Sequence, residues 1–474
     1  MTDLLSKFGQ AVGRHADKVA IVNGTGDSVT FGQLHTRAQA LATTWAAQGI
    51  TRGDRVLIAM GVSADLYASL AALWSLGATV VLPEPAMGIA GVRHAIKTTG
   101  VTAFCAAGNY RWLKLLVPDL WRVRMLSMTG RGGPAINAPP PLDDIALISF
   151  TSGTTGAPKA IPRTHRFLLA QNDAVAPLLA SDQDERDLVA FPVFALINLA
   201  AGRTSVLPNW KMARLAQVTP DALSAWITQT GATRALLPPA LVDTLGQTQA
   251  PPSLMHIFTG GGPVFPDAIT HLSHAFPNTK VTCVYGSTEA EPIAHLHATD
   301  ITQADHDHMR NGAGLLVGHP TETTQVRVIK HEIQVAGDHV NRGYLDPGHD
   351  ADTKIHDGDV VWHRTGDAGR IDADGRLWLL GRIGSDVTLA GKQVFPFAVE
   401  VAVRQWDGVT ACALVAKNGT PVLAIAGDKA QFAYWQAQAK TCGIQHLVHL
   451  SKIPMDRRHG SKVDRAALLA QMKG

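Results

Sequence analysis

Residues 144–165 constrain this chain more than any other stretch. Asp144-Ile-Ala-Leu-Ile-Ser-Phe150 is apolar and of strand character, with a proline-rich segment before it and a glycine loop after it. The loop, Thr151-Ser-Gly-Thr-Thr-Gly-Ala-Pro-Lys159, holds three threonine hydroxyls, one serine hydroxyl, two glycines and a terminal lysine. Glycine lets the backbone turn its N–H groups inward around an anion, hydroxyls add donors, and a lysine adds a point charge. That is the composition of a phosphate cradle. It is not a Walker loop, because Lys159 follows Ala157 and Pro158 instead of standing between a glycine and a Ser or Thr. Gly/Thr-rich loops taken alone are more often plain turns, so the reading depends on partners elsewhere in the chain.

The rest of the chain supplies a folded setting for such a loop. The 474 residues allow two to four domains, and 46% hydrophobic against 17% charged residues describes a globular protein. A formal charge of +3 with scattered basic residues gives no case for nucleic acid. Cys105, Cys283, Cys412 and Cys442 form no CxxC pair, which suits a reducing compartment and argues against a disulfide framework or zinc ribbon. The first residues lack the apolar core of a signal peptide. Residues 66–82 are uncharged and 17 long, at the lower edge of a membrane span. Gly77 and Thr79-Val80-Val81 instead divide them into a helix and a buried strand. The expectation is a soluble cytoplasmic protein with no membrane span.

Taken in order, residues 17–31 alternate apolar runs and turn residues as a hairpin does, and residues 31–47 carry Leu34, Ala38, Leu41 and Trp45 at helical spacing. Residues 54–60 read as a buried strand. Strands alternating with helices predict βαβ units and a largely parallel sheet. Residues 130–141, with three Gly and four Pro, form a connector into the loop. Residues 165–180 are helical in pattern, and Phe191-Pro-Val-Phe-Ala-Leu-Ile-Asn-Leu-Ala-Ala-Gly202 reads as the start of a core helix. Gly260-Gly261-Gly262-Pro263 follows a strand-like run, and a glycine turn of this kind lets a flat ring lie close to backbone. Residues 281–289, ending Tyr285-Gly286-Ser287-Thr288-Glu289, read as a strand and a polar turn: Tyr285 can stack on a base, Thr288 can bond a phosphate oxygen, and Glu289 is a hard oxygen ligand suited to Mg²⁺. His295, His297, His306 and His308, among Asp300, Asp305 and Asp307, lack the spacing of a metal site and are read as a solvated loop. In residues 362–382 Asp367 begins a hairpin-like segment and Arg382 ends it. From residue 384 the composition resets to a unit of about ninety residues, enough for a domain, with strands near 411–416, 422–426 and 446–450 and a helix near 429–440. The chain closes on Ile453-Pro-Met-Asp-Arg-Arg-His-Gly-Ser-Lys462-Val-Asp-Arg465.

Five blocks, in this order, resemble the signatures of the adenylate-forming enzymes, a superfamily of acyl-CoA synthetases, luciferases and peptide-synthetase adenylation domains. They are the 151–159 loop, the Gly260–Pro263 turn, Tyr-Gly-Ser-Thr-Glu, Thr-Gly-Asp with Gly-Arg, and the closing lysine string. The resemblance covers nearly the whole chain. The wording of residues 191–196 and of Asp-Arg-Arg-His is similar to that of olefin-pathway β-lactone synthetases.

The resemblance implies an α/β fold: a large N-terminal domain of mixed sheets with helices (1–383), which binds ATP and the acid, and a small mobile C-terminal α+β lid (384–474). It implies that Thr151, Ser152, Gly153, Thr154, Thr155, Gly156 and Lys159 hold the phosphates of ATP. Adenine would lie against Gly261, Gly262 and Pro263, and Tyr285, Gly286 and Ser287 would line the nucleotide. Asp367 would take the ribose hydroxyls, with Arg382 also reaching the nucleotide. Glu289 would bind Mg²⁺, Thr288 would serve the phosphates, and Lys462 would bridge the attacking carboxylate and the α-phosphate.

The implied reaction is activation of a lipophilic acid to acyl-AMP, followed by transfer to CoA as in a fatty-acid CoA ligase. Two alternatives stay open: ring closure by the substrate's own β-hydroxyl without CoA, and a non-catalytic nucleotide or acyl binder. An acyl carrier protein is a further candidate acceptor. Two positions depart from the family pattern: Ile383-Gly384 stands where an acidic or lysine hinge is usual, and Ala398 stands where an acidic residue is usual.

Overall fold

Strand runs rich in Val, Ile and Leu, separated by glycine turns, pair here into two large sheets, a two-stranded one of Val387–Leu389 with Lys392–Val394, and a small C-terminal one. The computed structural model describes residues 3–83, 87–130, 140–151, 158–455 and 462–472. Most of the 130–141 connector lies outside them.

The first sheet has six strands, in the order Arg124–Met125, Ala103–Ala106, Arg55–Ala59, Thr79–Val81, Ile145–Phe150 and Ala160–Thr164. The first five run parallel and the last turns back antiparallel. Thr30 caps the helix Phe31–Ala47 in a reciprocal capping box with Gln33, so this helix starts where its apolar periodicity begins. The helix Ala64–Ser75 buries ten of its twelve residues. Burial on all sides explains why residues 66–82 look like a membrane segment, and no helix among the described residues is long and apolar enough to cross one.

The second sheet has fourteen strands. Thr204–Val206, Arg186–Val189, Arg234–Leu237, His256–Gly260 and Lys280–Ser287 are parallel neighbours. At Ala290–His297 the pairing switches to antiparallel and stays so through Leu315–Pro320, Leu377–Arg382 and Val360–Ile371. Thr288 and Glu289 sit in the turn at that switch. The polar turn is shorter than the sequence suggests, because Tyr285, Gly286 and Ser287 still belong to the strand.

The C-terminal part forms a separate three-stranded sheet of Val409–Lys417, Thr420–Gly427 and His446–His449, with apolar clusters of its own around Trp435 and Leu468. The helix Pro396–Val403 joins it to the larger body. Val401 shares a core with Val264, Ile269 and Trp378, the rings of Phe397 and Phe265 lie 5.8 Å apart, and Arg404 pairs with Asp267 at 2.6 Å. Ala398 is buried in this helix, two residues before Glu400. Glu400 is buried too and accepts from Arg465 at 2.7 Å and from the Leu414 N–H at 2.8 Å.

One expectation needs correction. The histidine-rich stretch is not a solvated loop: His295 and His297 end the strand Ala290–His297, and His306 and His308 lie on the helix Gln303–Arg310. Thr302 and Asp305 form a capping box that starts this helix, and Arg376 pairs with Asp305 at 3.0 Å. The capping pattern outweighs the low apolar content of the run. No metal-ligand cluster of three or more occurs among the described residues.

Candidate active site

The loop at 151–159 closes at its base. The Thr151 N–H donates to the Lys159 carbonyl at 3.0 Å, and the Lys159 N–H donates to Thr151 Oγ1 at 3.1 Å. These bonds continue the ladder beyond Phe150 opposite Ala160, so the loop is the tip of a hairpin between Ile145–Phe150 and Ala160–Thr164. The second of these strands contains Pro162, which an edge strand tolerates because no neighbour needs the missing N–H. Ser152, Gly153, Thr154, Thr155 and Gly156 lie outside the described residues.

The Leu345 N–H donates to the Ala160 carbonyl at 2.9 Å and brings Tyr344 to the base of the loop. Tyr344 is 6% exposed. Its ring centroid lies 4.9 Å from Lys159 Nζ and 5.2 Å from Lys354 Nζ, and its hydroxyl donates to Glu289 Oε1 at 3.0 Å. Burial and the Glu289 carboxylate raise the phenol's pKa, so it stays a donor. The Glu289 backbone is held independently. Its carbonyl accepts from the Asn341 N–H at 2.7 Å, and the neighbouring Thr288 carbonyl accepts from Arg163 at 2.8 Å.

Lys354 is also only 6% exposed. It donates to the Asn341 carbonyl and lies 3.1 Å from His363 Nδ1. Burial lowers its pKa to about 8, against the pull of Glu289 and Asp350, and Lys159 adds repulsion. Burial first and Lys354 second lower His363 to about 3, so its ring is neutral. Asn341, Tyr344, Lys354 and His363 were not picked out from the sequence. They carry no shared spacing, and nothing in the sequence signals them.

The opposite end of the site is a hydrogen-bonded chain. The Tyr285 hydroxyl donates to Asp367 Oδ2 at 2.7 Å, and Arg382 Nη1 donates to Asp367 Oδ1 at 2.6 Å and to the Thr365 carbonyl at 3.2 Å. Asp367 and Arg382 are direct partners across the hairpin of Val360–Ile371 and Leu377–Arg382, as their spacing suggests. Between Thr365 and Asp367, Gly366 turns at φ +69, and a Cβ there would come within 3.2 Å of the Arg382 guanidinium.

Gly261, at φ +77, would place a Cβ 3.2 Å from Phe191 Cε1, so the glycine turn with Gly262 and Pro263 faces an aromatic wall. Phe191 and Phe194 pack edge to face at 6.1 Å at the start of the apolar helix Pro192–Ala201. Lys462 is exposed, beside the bridge between Met455 and Val463. Residues 456–461 just before it lie outside the described residues. Arg382 leads through Ile383 to Gly384, whose φ is +76 and whose Cβ position is open.

A lysine at the base of the hairpin loop, a carboxylate beside it and a tyrosine–aspartate–arginine chain are groups of the kind that a nucleoside polyphosphate could meet. The chain belongs to the AMP-binding enzyme family, which it matches over residues 8–345, and it is an acyl-adenylate-forming ligase. It is 29% identical to the olefin β-lactone synthetase of Stenotrophomonas maltophilia, over 93% of this chain and 90% of that protein. It is 27% identical to the feruloyl-CoA synthase of an Amycolatopsis species, over 85% and 83%. Its fold matches the o-succinylbenzoate CoA synthetase of Bacillus subtilis in complex with its acyl-adenylate intermediate, with a TM-score of 0.80 and 19% identity over 99% of this chain and 98% of that one.

Proposed function

We propose that this chain activates a lipophilic β-hydroxy acid as its acyl-AMP, with release of pyrophosphate, and then closes a β-lactone. The convergence of Lys159, Tyr344 and Glu289 at the base of the loop carries the first step. A carboxylate attacks the α-phosphate only when the negative charge of both partners is offset. Lys159 and the 151–156 loop take the β- and γ-phosphates, Thr288 and Glu289 lie beside them, and Asp367 and Arg382 hold the ribose end, with adenine between Tyr285, Gly286, Ser287 and the Gly261–Pro263 turn. A single carboxylate does not make a resident cation site. It suits Mg²⁺ that arrives on the phosphates of ATP, which is how this ion is usually bound. When bound, the ion would neutralise the leaving pyrophosphate.

During this first step residues 384–474 act as a lid that brings Lys462 to the attacking carboxylate, with Gly384 as the hinge, and the second step proceeds on the acyl-AMP so formed. The substrate's β-hydroxyl oxygen then attacks the acyl carbon, AMP leaves, and the hydroxyl proton is lost to solvent. Similarity to β-lactone synthetases across nearly the whole chain supports ring closure, as does the aromatic wall of Phe191 and Phe194 for a lipophilic acid. A CoA ligase is the second reading, favoured by the similarity to feruloyl-CoA synthase; CoA or an acyl carrier protein would then be the acceptor. Three of the four cysteines are buried and none is bonded to another, in keeping with a cytoplasmic enzyme.

The test is mass spectrometry of products from ATP·Mg²⁺ and a panel of fatty and β-hydroxy fatty acids, with and without CoA. Ring closure predicts AMP and a product one water lighter than the hydroxy acid, indifferent to CoA. An acyl-CoA that forms only with CoA would replace this reading with the ligase.

A further inference from the structure

Twelve large apolar side chains stand exposed among the described residues, and five of them fall within residues 110–121. Tyr110 is 49% exposed, Trp112 and Leu116 62%, and Leu115 and Trp121 64%. Scattered exposed apolar residues are ordinary, but a contiguous group marks an interaction surface. The segment is also built. Val117 and Leu120 are its buried anchors, Lys114 donates to the carbonyls of Leu120 at 2.6 Å and Trp121 at 3.1 Å, and the Trp121 indole donates to the Leu115 carbonyl at 3.3 Å. The fold therefore holds these side chains outward.

The charge around them is mostly positive. Residues 108–124 carry Arg111, Lys114, Arg122 and Arg124 against one acid, Asp119, which pairs with Arg93 at 2.8 Å. Four against one gives this segment +3, the formal charge of the whole chain. Arg111 and Arg122 are exposed beside the tryptophans.

We propose that residues 110–122 dock this protein on an anionic lipid surface. Tryptophan and tyrosine settle at the boundary between headgroups and acyl chains, leucine reaches below it, and arginine meets the anionic headgroups. A protein partner would need more than the segment offers. Binding hot spots fill pockets, whereas these side chains project from short turns. The adjoining edge strand, Arg124–Met125, is two residues long, too short to template a partner's strand. The segment leaves the C-terminal end of Ala103–Ala106, at the rim from which the 151–159 loop leaves Ile145–Phe150, and crosses to the start of the parallel strand Arg124–Met125 at the opposite rim.

The test is flotation of the full chain with vesicles of phosphatidylcholine alone and with a third of phosphatidylglycerol. Roughly tenfold more protein should float with the anionic vesicles, and high salt should release it. Trp112→Ser with Trp121→Ser, and separately Arg111→Glu with Arg122→Glu, should each lower flotation about tenfold. ATP–pyrophosphate exchange with a short soluble acid should stay unchanged, so docking and chemistry are read apart. The proposal fails if the wild type does not float with anionic vesicles or if both variants float as it does. It fails too if the tryptophan pair merely converts a vesicle-free dimer to monomer, since a second copy would then be the occupant.

Discussion

The two ends of the candidate site are built on opposite principles. At the proposed ribose end Tyr285, Asp367 and Arg382 satisfy one another, and the carboxylate's charge is matched by the guanidinium across the hairpin. At the proposed phosphate end Lys159 and Lys354 stand about the Tyr344 ring, whose hydroxyl donates to Glu289 and whose backbone N–H donates to Asp350. The first arrangement is neutral and complete without a ligand. The second sets two lysines against the carboxylates of Glu289 and Asp350 and is proposed to take a polyanion, so the two ends should fail differently when cut.

The largest effect is expected from Lys462, which belongs to neither end and is proposed to act only while the acid attacks. Lys462→Ala should lower the rate of acyl-AMP formation about 10²- to 10³-fold and leave the KM for ATP within about threefold. Stopped-flow or ATP–pyrophosphate exchange reads this directly. A normal rate would remove Lys462 from the chemistry, and a matching rise in KM would make it a binding residue. Next comes Tyr344→Phe, which deletes the hydroxyl on Glu289 but keeps the ring between the lysines. Losing a hydrogen bond to a charged group costs about 1.5–3 kcal/mol, so kcat should fall roughly ten- to a hundredfold. If Tyr344→Phe matched the wild type, the tyrosine would be packing alone.

Asp367→Asn probes the self-satisfied end. It keeps the shape but removes the charge that Arg382 faces, and the expected loss is about tenfold in KM for ATP with little change in kcat. A fall in kcat as large as that of Tyr344→Phe would erase the distinction between the ends.

The pairing of Asp367 with Arg382 was legible in the sequence, as were the loop, Lys159 and Glu289, but the residues that surround that loop were not. Asp367 and Arg382 bracket a hairpin, so strand register places them opposite each other, and the helix Phe31–Ala47 was legible because its cap and its periodicity agree. The strand Ala160–Thr164 was not, since Pro162 disguises an edge strand. Nor was the helix Gln303–Arg310, where a capping box overrides a polar run. Tyr344, Lys354 and His363 were hidden for another reason. Two backbone bonds between distant segments, Leu345 to Ala160 and Asn341 to Glu289, bring them to the loop. No periodicity or local propensity records such a return of the chain.

Lys354 offers the finest cut, because its burial ties charge to stability. An unfolded lysine titrates near 10.4, whereas this one titrates at about 8. Between those values the unfolded chain binds more protons than the native one, so stability rises with pH across that window, while below about 8 both states are protonated and the slope vanishes. From pH 8 to pH 9 the rise should be about 1 kcal/mol. Lys354→Met keeps the length of the side chain without its charge, and denaturant titrations at the two pH values should show a slope flatter by that amount. Equal slopes in the two proteins would mean that the lysine is solvated and the phosphate end is not a buried cationic site. A bound polyanion should hold the proton on Lys354 and move the rise toward higher pH. A ligand confined to the ribose end would leave it in place, because Asp367 and Arg382 already answer each other there.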